Sequence, residues 1–141
     1  MSRAADSASL EQQVQVVRSS TEIERQSTLI RGAQLDSADM ERFAPVYQDY
    51  RREATALNDK LLALLKTYAD EYSTLTDAQA QGLTRDSLAL ERDRVNLKIR
   101  YAKKFDEVLP ARKVARVMQI ENRMALLQMI GGATTIPLAK P

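Results

Sequence analysis

Tyr50, Ala54, Leu57, Leu61, Leu64 and Tyr68 are spaced alternately by four and three residues, and this run restricts the fold more than any other feature of the chain. Alternating steps of three and four keep side chains on one seam of a helix and are the means by which a helix packs lengthwise against a neighbour. A strand would repeat every two residues instead. The spacing therefore predicts a helix of about five turns with a partner alongside it. Pro45 lies in the first part of the same helix, where it removes one ladder bond and clashes with the preceding turn at a cost of ~3 kcal/mol unless the helix bends. A kink is expected near Glu41 to Pro45.

Two further amphipathic segments meet at a sharp corner. Leu83, Leu90, Leu97 and Tyr101 mark one helical face, with Arg85, Arg92, Arg94, Lys98, Arg100 and Lys103 on the others. Leu109 ends this helix, and Pro110, with no amide hydrogen and a preset backbone angle, starts the next. There Val114, Val117, Ile120, Met124 and Leu127 form a face that Gly131 and Gly132 terminate. Nearer the start, Leu10, Val14, Val17, Ile23 and Ile30 make a weaker stripe broken by Ser and Thr, with Gly32 as its stop. Asp36 is placed to cap the second helix, with Asp39 three residues on. That helix runs to about Ser73–Thr74, where Thr76 and Gln79 have the spacing of a reciprocal capping box.

The expected fold is thus all-α, with four helices including long kinked antiparallel hairpins. Its organisation is a disordered start over residues 1–8, one helical domain over 9–132 and an extended tail over 133–141, with Ile136 and Leu138 placed to pack back on the helices. Composition agrees: only four Gly, four Pro and 5% aromatic residues accompany many Ala, Leu, Gln, Glu and Arg, which lose little rotamer freedom in a helix. At 44% hydrophobic and 28% charged, the 141 residues suffice for one core. No apolar run approaches the ~18 residues of a membrane span. Leu62 and Leu65 add to the seam of the second helix more apolar surface than one neighbour covers, so a homodimer is expected.

The chain contains no Cys and no His. Disulfides, thiol nucleophiles, the usual general base and the commonest metal ligands are therefore excluded. Asp70–Glu71 and Asp106–Glu107 are sequence neighbours that point to different sides of a helix, unsuited to paired acid–base work. Glu22, Glu24, Asp36 and Asp39 could attract a hard cation but read as capping and dipole compensation. Neither catalysis, a metal nor a cofactor is expected. Tyr47, Tyr50, Tyr68, Tyr72 and Tyr101, at helical spacing with Leu, read as core, and Met118, Met124 and Met129 suit either a core or an adaptable binding face.

Positive charge is concentrated instead. Residues 92–116 hold nine Lys or Arg against three acids, a net of +6, which leaves −4 for the rest of a chain whose total is +2. The segment offers a surface to an anionic partner or, alternatively, a solvated face paired with Asp49, Glu53 and Asp59. Arg94 and Lys98, like Arg100 and Lys104, are like charges four residues apart and require compensation. No interleaved aromatics or nucleic-acid motif accompany them, so nucleic acid is the least expected partner.

Several runs resemble a known family. Leu75-Thr76-Asp77-Ala78-Gln79 is similar to the LTxxQ motif of the periplasmic helical stress proteins typified by Spy and CpxP, and the family positions are Leu75, Thr76 and Gln79. Phe43-Ala44-Pro45-Val46-Tyr47 with Tyr50, and Leu109 to Arg116 continued by Gln119 to Arg123, resemble uncharacterised relatives of that group. Leu35-Asp36-Ser37-Ala38-Asp39 keeps the leucine and cap of a first such motif but lacks its Thr and Gln, and the missing histidines set the chain apart from zinc-binding members. The resemblance implies a periplasmic protein whose signal peptide has been removed, an intertwined cradle-like dimer, and ATP-independent chaperone or envelope-stress adaptor work. Clients would be partly unfolded polypeptides, met by Arg92, Arg94, Lys98, Arg100, Arg112 and Arg116. A structural or signalling role with one specific partner is the alternative.

Overall fold

The computed structural model describes residues 22–133 and 137–141, the side chains of 127–133 excepted. Within them the chain is all-α: α1 over residues 22–33, α2 Ser37–Glu71, α3 Asp77–Asp106 and α4 Ala111–Ala133, with no strand among the described residues. The expected disordered start and the stripe Leu10, Val14 and Val17 lie outside the described residues, as does Ile136.

The helix ends follow from local chemistry. The Asp36 carboxylate accepts the Asp39 N–H at 2.8 Å, and the Asp39 carboxylate accepts the Asp36 N–H at 3.2 Å. Thr76 and Gln79 make the same exchange at 3.2 and 2.9 Å. Each box satisfies donors that a helix start otherwise leaves open. Pro110 opens α4 from the capping position, its carbonyl accepting from the Lys113 and Val114 amides at 2.9 and 3.1 Å. α2 is unbroken through Pro45. Pro45 and Glu41 are both exposed, so the carbonyl deprived of its ladder bond is within reach of water.

α1 does not stop at Gly32. It continues to residue 33, and the left-handed residue that ends it is Gln34, with φ 55°. Leu35 N–H then bonds the Ile30 carbonyl at 3.1 Å and Gln34 N–H the Arg31 carbonyl at 3.3 Å, the paired closure of a Schellman end. Gly32 serves a different purpose. A Cβ there would run into the side chain of Ile120, so the missing side chain is what allows α1 to lie close against α4.

α2 and α3 form an antiparallel hairpin, and α1 and α4 close over its base. The core there comprises Leu29, Ala33, Leu35, Phe43, Tyr47, Tyr50, Leu97, Tyr101, Phe105, Leu109, Val114 and Val117. Aromatic rings run through it, Phe43 lying 5.0 Å from Phe105 and Tyr50 5.4 Å from Tyr101. Phe43 and Phe105 are each 1% exposed, a burial that contributes roughly 1.5–3 kcal/mol per side chain. Away from the base, the seam residues Leu57, Leu61, Leu64 and Tyr68 are only half-buried, as are Leu62 and Leu65, on which the homodimer expectation rests. The two helices continue there as an arm about 22 Å long on the α2 side. Leu138 is 90% exposed and does not pack back, although the Tyr68 hydroxyl donates to the Pro137 carbonyl at 2.5 Å.

Candidate interaction surface

The six basic residues singled out from the sequence do not share one face. Arg94 is half-buried and donates to Asn58 Oδ1 of α2 at 2.7 Å, and burial pushes its guanidinium below the ordinary arginine range. Lys98 reaches the other way, to Asn122 Oδ1 of α4 at 3.0 Å. Arg100 pairs with Glu53 at 3.0 Å, and Arg116 donates to the Gly32 carbonyl at 2.8 Å. Arg92 and Arg112 are exposed. Four of the six thus tie helices together; Arg100 meets a counter-charge in Glu53, whereas Arg94 and Lys98 are held by neutral amides. Tyr101 also donates to Glu53, while Lys104 sits 4.6 Å over the Tyr101 ring. The Tyr101 bond, followed by the Arg100 bond, holds the Glu53 carboxyl below its usual range.

What α3 does present outward is a second seam that is visible only once the first is buried. Leu90, Leu97 and Tyr101 face the core. On the opposite side, Leu88, Val95 and Ile99 are 59%, 54% and 53% exposed. Together with Arg85 and Arg92 they fall at three- and four-residue steps, and Ala102 completes the row. A shallow groove whose lining includes Asp77, Thr84, Arg85, Leu88 and Arg92 runs along its first half. Arg85 and Arg92 lie 3.7 Å from the carboxylates of the next residues, Asp86 and Asp93, in pairs largely in solvent. Such pairs are worth little.

A buried polar cluster holds α1, α2 and α4 together. Glu121 of α4, 4% exposed, accepts from Arg25 Nη1 of α1 at 2.5 Å and from the Tyr47 hydroxyl of α2 at 2.6 Å. Arg51 chelates Glu22 alongside. Arg25 Nε is buried without a hydrogen-bond partner. Sequence reasoning missed this cluster: Arg25 and Glu121 are 96 residues apart, and Glu121 stands unremarked among polar neighbours. Burial, with the Glu121 charge beside it, drives the Tyr47 hydroxyl far above the usual tyrosine range, and burial pushes Tyr50 up to about 12. With its carboxylate engaged by both Arg25 and Tyr47, Glu121 clamps the three helices together.

Asp39, weighed as a cation ligand, is taken by its cap and by Lys113 and Arg42. The Lys113 bond is the main cause that holds its carboxyl below the ordinary value. Among the described residues no group of His, Cys, Asp or Glu could hold a metal ion, and no helix is long and apolar enough to cross a membrane. No family profile, curated protein or solved structure matches the chain.

Proposed function

We propose that this protein is a non-catalytic polypeptide-binding protein of the ATP-independent chaperone or stress-adaptor type. The observation that carries this reading is the outward row of α3. Three large aliphatic side chains, each more than half exposed, share one face of the helix with Arg85 and Arg92, opposite the side that Leu90, Leu97 and Tyr101 bury. Exposed aliphatic groups give weak, adaptable contacts, and the interspersed charge attracts acidic chains over a longer range. The LTxxQ resemblance around Leu75, Thr76 and Gln79 supports placing this work in the periplasm. In the structure Thr76 and Gln79 act as a helix cap, so the motif itself is read as architectural.

Light scattering of an unfolding acidic client tests the reading. Substoichiometric protein is expected to slow aggregation, and Leu88→Gln with Ile99→Gln to remove most of that protection while circular dichroism is unchanged, because exposed substitutions alter stability little. Wild-type protein that gives no protection would rule the chaperone reading out and favour a single dedicated partner.

A further inference from the structure

We infer that the outer seam of α3 docks one amphipathic helix that carries carboxylates one heptad apart, opposite Arg85 and Arg92. This deepens the polypeptide-binding reading and rests on it. The first argument is the width of the row. Arg85, Leu88, Arg92, Val95, Ile99 and Ala102 follow three-four-three-four-three spacing, which gives the narrow two-in-seven seam of a coiled coil rather than the broad stripe by which a helix covers a core or sinks into a bilayer surface. A seam of that width is filled by a single helix. With Leu88 through Ile99 already helical and held from behind by Leu90, Leu97 and Tyr101, the docking side is preorganised and little ordering cost falls on it.

The second argument is charge, and it decides against a second copy of this chain. In the antiparallel self-pair that brings all six seam positions into layers, Leu88 matches Ile99, Arg92 matches Val95 and Arg85 matches Ala102. The two Arg92 side chains then fall in adjacent layers, roughly 4.5 Å apart along the axis. A parallel self-pair is worse, because each arginine meets its own copy. At the flanks, Lys98 and Lys103 add positive charge against Glu91, while Asp86 and Asp93 offset the arginines only through solvent-exposed pairs. The partner that neutralises Arg85 and Arg92 is one with Glu or Asp at two seam positions seven residues apart and aliphatic residues at the others. Charges set in a seam select the partner as well as stabilise it.

The probe is a synthetic helix of about four heptads, with Leu at its seam positions except for two Glu seven residues apart, and a twin with Lys at those two positions. Binding to the full chain is read by fluorescence anisotropy, beside vesicles of phosphatidylserine and the aggregation assay above. The acidic helix is expected to bind at least about tenfold more tightly than the Lys twin. Arg85→Glu combined with Arg92→Glu should reverse that order, and Ile99→Glu should weaken both peptides without changing the circular dichroism of the protein. Equal binding of the two peptides to the wild type, an order unchanged by the double variant, or binding to the vesicles with neither peptide bound would overturn the assignment. If wild-type protein slows aggregation yet shows no preference for the acidic helix, only this inference fails. If it neither slows aggregation nor binds either peptide, the polypeptide-binding reading fails with it.

Discussion

Three side chains set much of the geometry in ways their residue types alone do not announce. Gly32 reads as a helix stop but is a contact point, and Gly32→Ala must push Ile120 aside at the α1–α4 crossing. Overpacking of this kind costs about 1–3 kcal/mol. Two residues later the sign reverses: Gln34 occupies the left-handed region, where glycine pays no steric penalty, so Gln34→Gly should stabilise by about 1 kcal/mol. Urea unfolding of the two variants separates the roles, since a glycine that merely ended α1 would tolerate alanine. Glu121 is the third. Glu121→Ala strands the Arg25 guanidinium in the core without a counter-charge, a loss of roughly 3–5 kcal/mol. The same denaturant titration measures it, and a loss below about 1 kcal/mol would mean that water replaces the carboxylate.

At the scale of elements, what could be read in the sequence was whatever depends on neighbours within one or two turns. The capping boxes at Asp36 and Thr76, the seam from Tyr50 to Tyr68 and the Leu109–Pro110 corner are all local patterns, and all are found where the spacing puts them. The basic surface was not legible, because which way an arginine points depends on the helix beside it: Arg94 turns to Asn58 and Lys98 to Asn122 although they are one turn apart on the same helix. The runs that resemble the LTxxQ group show the same division. Phe43, Tyr47, Tyr50, Leu109, Val114 and Glu121 all end in the core, so those runs encode the base of the bundle rather than a binding face. Thr76→Ala tests the cap directly, with an expected loss of about 1 kcal/mol that Ser at the same position largely restores. Pro45→Ala restores an ordinary ladder bond at an exposed turn and should leave stability equal or higher. A drop of several degrees in Tm would mean that packing of α2 requires proline at this position.

For the molecule as a whole, the base and the arm should respond differently to pH, because the base holds the titratable groups that folding perturbs. Tyr50 and Tyr101 are pushed up to about 12, chiefly by burial, and Tyr47 is shifted in the same direction. Each is neutral in the fold and ionises more readily in the unfolded chain, whose tyrosines titrate near 10. Their stabilisation is therefore complete below about pH 10 and is lost as pH rises toward and past 12. Asp39 works in the opposite sense. Its folded pKa is lowered from 3.8, so its contribution is present above that value and disappears as pH falls below it. Stability should accordingly form a plateau bounded by carboxylates on the acid side and by phenols on the alkaline side. Phenolate absorbance and hydrogen exchange, followed together from neutral to alkaline pH, are the check. Core amides of residues 97–117 should lose protection in step with phenolate formation, because deprotonating Tyr47 beside Glu121 places two negative charges in the clamp that holds α1 and α4 to the hairpin. Amides of the arm, about residues 57–88, lack that dependence and should already exchange faster at neutral pH through local opening. If Tyr47, Tyr50 and Tyr101 ionise near pH 10 with core protection intact, their rings are accessible to solvent without unfolding, and the aromatic string is not the sealed centre of the bundle.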